Sequence, residues 1–91
     1  MKERLKRALR EDLPIRIRAL DTALANQDLH ALGQLFHSLK GSVGFIWPEG
    51  DLVKLSAELE RLADHQEWDA ITREIPHFRA MLMEIAKGAD T

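Results

Sequence analysis

No cysteine and no tyrosine occur among the 91 residues. Without cysteine there is no disulfide framework and no thiolate metal site. That fits a reducing compartment, and the expected location is cytoplasmic. Long apolar runs are missing too, so nothing approaches the roughly 20 residues of a membrane-spanning helix. The opening Met-Lys-Glu-Arg-Leu-Lys-Arg has no apolar block after its charges, unlike a secretory signal. An excess of positive charge is also absent. Thirteen Lys and Arg face fifteen Asp and Glu, for a net charge of −2 and a pI near 6.1. Phosphate-backbone binding needs a basic surface, so nucleic acid is not the expected partner. No stretch alternates with a period of two, which argues against strands. There is no His-Glu-x-x-His pattern and no Gly-rich phosphate loop. His30 and His37 stand seven apart, too far for a chelating pair. Ser38 and Ser42 have no adjacent base for a triad. No metal site and no intrinsic cofactor are expected.

What is present is helical spacing. Hydrophobic residues make up 45% of the chain, enough for one domain covering residues 1–91. Residues 2–11 predict a weak amphipathic helix around Leu5, Ala8 and Leu9, interrupted at Asp12-Leu13-Pro14. Pro14 suits the first turn of a new helix, with Leu13, Ile17, Leu20 and Leu24 facing inward. Asn26-Gln27-Asp28 reads as a turn, with Asp28 capping a helix over 29–46. There Leu32, Leu35, Phe36, Leu39, Val43 and Ile46 share one face. Trp47-Pro48-Glu49-Gly50 ends that helix, and Trp47 is read as core packing ahead of the alternative, part of a partner-binding rim. Asp51 is expected to cap the next helix, with a stripe of Leu52, Leu55, Leu59 and Leu62. A last helix carries Trp68, Ile71, Ile75, Phe78, Leu82 and Ile85 from about Glu67 to Gly88. Pro76 should kink or split it. No internal repeat is apparent. The short connections favour an all-α fold: an antiparallel up-and-down four-helix bundle with a short extra N-terminal helix.

His37 does not fit the apolar stripe. At about 100° per residue it lies on the opposite side of its helix. Its own face carries His30, Gly33, Gln34, Lys40, Gly41 and Gly44. Gly33, Gly41 and Gly44 fall within about 40° of it around the axis. Each glycine costs a helix interior about 1 kcal/mol relative to alanine. Three on one face imply close approach by another protein. A neutral imidazole is a competent nucleophile that can form a covalent intermediate. Lys40, one turn on, can attract a phosphoryl group or steady its negative charge. His65 and His77 read as solvated.

His37-Ser38-Leu39-Lys40-Gly41-Ser42 resembles the H-x-L-K-G-S core of histidine-containing phosphotransfer (HPt) domains, and the resemblance extends over most of the chain. It takes in Leu13-Pro14, Asp28-Leu29 and Leu59-Glu60. The chain departs from the family pattern at Trp47, where many members have a small residue, and in a slightly longer stretch from there to Glu60. The resemblance implies that His37 accepts a phosphoryl group from one receiver aspartate and passes it to another, without independent turnover. It implies that Lys40 assists and that Gly41 leaves room for the receiver. It also implies that Glu60 accepts the Nδ1 proton of His37, so that Nε2 attacks. His30, Gly33, Gln34 and Gly44 are expected to join Gly41 at the partner surface. The implied partners are response-regulator receivers, which hold the Mg²⁺, and a sensor or hybrid histidine kinase. The domain is expected to be monomeric. Two other readings stand beside the carrier: the phosphoacceptor domain of a chemotaxis-type kinase, and a module that binds receivers or kinases unphosphorylated.

Overall fold

The computed structural model describes residues 2–91. It contains α1 (Lys2–Ala25), α2 (Leu29–Ile46), α3 (Asp51–Asp64) and α4 (Trp68–Ala86), with no strand among the described residues. Every helix buries one stripe with three- and four-residue spacing. Leu13 and Leu20 come from α1, Phe36 and Leu39 from α2, Leu52 and Leu59 from α3, and Phe78 and Leu82 from α4; all are fully buried. Phe36 and Phe78 meet edge to face, with centroids 5.5 Å apart and planes at 85°. That geometry sets the positive rim of one ring against the negative face of the other. α1 packs on α2 and α4, and α3 packs on the same two helices.

The N-terminal region differs from the sequence expectation. There is no separate first helix: residues 2–11 are the opening turns of α1, which runs unbroken through Pro14. Pro14 is exposed, so the carbonyl left without an N–H donor can turn to water. Leu9 on one side of it and Ile17 and Leu20 on the other are buried in one stripe. Burying each such side chain contributes about 1.5–3 kcal/mol, which together outweighs the proline penalty of about 3 kcal/mol. Pro76 is likewise exposed, and α4 is not split there.

Local signals at the other helix ends divide. Asp28 caps α2 as expected, accepting a hydrogen bond from the Ala31 N–H at 3.0 Å. Asp51 does not cap α3: Gly50 holds the cap position, and Asp51 is the first helical residue. There its charge still complements the helix dipole. In α3 the buried stripe includes Ser56, while Leu55 is only half-buried. The Ser56 hydroxyl donates to the Leu52 carbonyl at 2.8 Å, which satisfies it inside the core. Leu24 and Trp68 also pack at the core margin rather than inside it. Trp47 closes one end of the bundle, half-buried, with the Lys6 ammonium 5.6 Å from its ring centroid.

The α1–α2 and α3–α4 turns have the same form. Gln27 (φ 52°) and Gln66 (φ 56°) take the left-handed conformation usually given to glycine. Asp28 N–H donates to Ala23 O at 2.9 Å, and Glu67 N–H donates to Leu62 O at 3.0 Å. The local sequences match as well: Gln27-Asp28-Leu29-His30-Ala31-Leu32 beside Gln66-Glu67-Trp68-Asp69-Ala70-Ile71.

Candidate functional site

Core packing sets the direction of His37. Phe36 and Leu39 are fully buried on either side of it. They fix the rotation of α2, and the intervening imidazole faces out, 71% exposed. α3 packs alongside and presents Glu60, one residue beyond the buried Leu59. Glu60 Oε2 lies 2.6 Å from His37 Nδ1, and Glu60 Oε1 lies 2.5 Å from Lys40 Nζ. His37 and Lys40 stand one turn apart on α2, so one carboxylate spans both. The three residues named from the sequence are thus brought together, despite the longer stretch before Glu60.

The electrostatics decide the proton positions. Lys40 holds the Glu60 carboxyl below its ordinary value of 4.5; partial burial opposes this, and His37 adds to the lowering. Ionised Glu60 can only accept. His37 Nδ1 therefore carries the hydrogen of that bond. In the neutral ring the lone pair then belongs to Nε2, which makes no hydrogen bond among the described residues. The result is a nucleophilic nitrogen aimed at solvent, with its ring anchored from behind. Among the described residues no three His, Asp or Glu side chains cluster as a metal site, and no helix is long and apolar enough to cross a membrane.

The glycines do not share one purpose. A Cβ on Gly41 would meet nothing within 4 Å, so the surface there is open. A Cβ on Gly44 would lie 3.0 Å from Val53 Cγ2, and one on Gly33 would lie 3.6 Å from Ala63 Cβ. Both face α3. Gly44 thus lets α2 and α3 approach closely. Gly33 touches α3 too, but also floors a groove of about 870 Å³ between those helices. His30 and Gln34 are exposed on α2 and line the same groove with His37 and Glu60.

Two features beside His37 escape sequence reasoning. Arg16 reaches from α1 to donate from Nη1 to Ser38 Oγ at 2.7 Å, and from Nε to Asp12 Oδ2 at 2.6 Å. Nothing in the local sequence marks that inter-helix contact. Phe45 is 68% exposed, two turns beyond His37. Its signal was available: a large apolar side chain standing off the buried stripe.

Neither the curated proteins nor the solved structures give a match. The family model for the Hpt domain matches residues 4–88. That span holds nearly all of the four helices, together with His37, Lys40 and Glu60. The chain belongs to the Hpt domain family, helical domains of histidine phosphotransfer that meet receivers and kinases in phosphorelays.

Proposed function

We propose that this chain carries a phosphoryl group on His37 between receiver-domain aspartates. The observation that carries the reading is the exposed imidazole with its Nδ1 anchored on Glu60. In the forward step the Nε2 lone pair attacks the phosphorus of a receiver aspartyl phosphate in line. The N–P bond forms, the P–O bond to the aspartate breaks, and the carboxylate leaves with its electron pair. The ring becomes imidazolium-like, and the Nδ1 hydrogen remains bonded to Glu60, whose negative charge offsets the developing positive charge. Lys40 places an ammonium one turn away, where it keeps Glu60 ionised and draws the phosphoryl oxygens. The receiver supplies the Mg²⁺ and much of the charge stabilisation, while this domain supplies position. Transfer to a second receiver reverses the same steps, so there is no independent turnover.

The four helices are read as an antiparallel up-and-down bundle forming a single domain. Pairings between opposite helix ends support this: Lys2 with the Ile46 carbonyl, Arg10 with the Ile85 carbonyl, and Gly44 beside Val53. In this reading the domain works as a monomer in the cytoplasm. The test is incubation with a panel of phosphorylated receiver domains. Expected is an acid-labile, base-stable label on the wild type and none on His37→Gln. An unlabelled wild type, or an equal label on His37→Gln, would contradict the reading.

Gly41 gives a prediction with two signs. Gly41→Ala adds a Cβ to open space and should raise stability by about 0.5–1 kcal/mol in urea titration. Gly41→Trp should fold normally yet transfer at least about tenfold more slowly, because its ring occupies the surface a receiver must reach.

A further inference from the structure

The two halves of the chain are related by more than their turns. Gln66 stands 39 positions after Gln27. The same step carries the core of α1 onto α3 and that of α2 onto α4. Leu13, Leu20, Leu39 and Val43 become Leu52, Leu59, Phe78 and Leu82, and all eight are fully buried. α1 and α3 each pack on α2 and α4, as an exchange of equivalent hairpins requires. The residue types rarely repeat, so the period shows in the burial and not in the sequence.

The exchange also maps the phosphoryl site. Lys40 of α2 becomes Arg79 of α4, and Glu60 of α3 becomes Asp21 of α1. These two are paired in turn: Arg79 Nε and Nη2 donate to Asp21 Oδ1 and Oδ2, both at 3.0 Å. The Asp21 carboxyl, like that of Glu60, is held below its ordinary value by its cation. The small Ala80 stands for Gly41. Of the three residues at the site, His37 alone has no counterpart. Its place is taken by Pro76, exposed within the unbroken α4. Proline is the costliest residue for a helix interior, because it lacks the N–H and crowds the preceding turn. Being exposed, Pro76 serves no core packing, and it has no nucleophilic atom.

We propose that the α1–α4 face is a second phosphoryl site of the same plan, and that Pro76 in place of the nucleophile limits the domain to one phosphoryl group. This rests on the carrier reading of His37. With Pro76→His, an imidazole Nδ1–H can donate to Asp21, whose oxygens keep free lone pairs beside Arg79, and Nε2 is left to attack.

The test labels the full chain with phosphoramidate, a small donor needing no docking surface, and locates the label by long-range ¹H–¹⁵N NMR with ³¹P coupling. The Nε2 lone pair takes the phosphoryl group, the donor P–N bond breaks, and ammonia leaves with its electron pair. Wild type should carry one phosphoryl group, on His37. Pro76→His should carry two, the second on Nε2 at position 76. Adding Asp21→Asn should slow that second labelling by about tenfold or more and leave labelling of His37 unchanged. Pro76→His and Pro76→Ala should both fold with a raised urea midpoint, since each restores the missing N–H, and only the first should gain the second label. Label on His37 with none at position 76 in Pro76→His, a second label indifferent to Asp21→Asn, or a lowered midpoint in both Pro76 variants would overturn this proposal alone. No label on His37 of the wild type from phosphoramidate or from any receiver would remove the carrier reading and this proposal with it.

Discussion

Glu60→Gln is expected to slow phosphoryl transfer to His37 by about 10- to 100-fold, the usual scale for losing a partner that orients a reacting imidazole. Glutamine can still accept from Nδ1–H through its carbonyl oxygen. It can equally turn its amide N–H₂ toward the ring, which favours the wrong tautomer. It also brings no negative charge against the imidazolium-like product. Lys40 Nζ, 2.5 Å from the carboxylate in the native site, loses its ion pair. Single-turnover transfer over a range of receiver concentrations reads the effect as a fall in the saturating rate without a matching rise in KM. Glu60 also links the site to pH. Its folded pKa lies below the ordinary 4.5, chiefly through Lys40. Its contribution to stability is therefore full above pH 4.5 and lost as pH falls through the lowered folded value. The stability difference between wild type and Glu60→Gln should shrink across that acid range in urea titrations. Above about pH 5 the transfer rate should show no step from Glu60.

The second large effect is on folding. Phe36→Ala should destabilise the domain by about 3–5 kcal/mol, the range for removing a buried phenylalanine. Phe36 is fully buried and meets Phe78 at the centre of the core, so the vacated space has few ways to collapse. Domains of this size hold about 5–15 kcal/mol in all, and urea denaturation should show a midpoint shifted far downward. His37→Gln, one residue along but facing solvent, should leave the midpoint in place. The pair separates the two faces of α2: one side of the helix holds the fold, and the adjacent position is the proposed phosphoryl site.

Much of this was legible because the helical period is physical. The spacing of Leu32, Phe36, Leu39 and Val43 forces His37 outward, whatever the rest of the chain does. Asp28 was legible as a cap because its side chain needs only its own backbone neighbours. Glu60 was reached through family resemblance, since no local rule ties a residue on α3 to one twenty-three positions earlier. Pro14 misled because a local breaker signal ignores what lies underneath: the buried run of Leu9, Leu13, Ile17 and Leu20 holds α1 together across it. The packing of Gly44 against α3 was hidden for a related reason. A bare helical wheel does not show that Val53 comes within 3.0 Å of its would-be Cβ. Arg16 reaching Ser38 was invisible for the same cause, as it depends on how α1 lies against α2.

The most direct test of the central claim is long-range ¹H–¹⁵N NMR with ³¹P coupling on the ¹⁵N-labelled, receiver-phosphorylated domain. The expected spectrum shows phosphorus bonded to Nε2 of His37, with the hydrogen retained on Nδ1 beside Glu60. Phosphorus on Nδ1 of His37, on His30, His65 or His77, or no P–N bond at all, would contradict it.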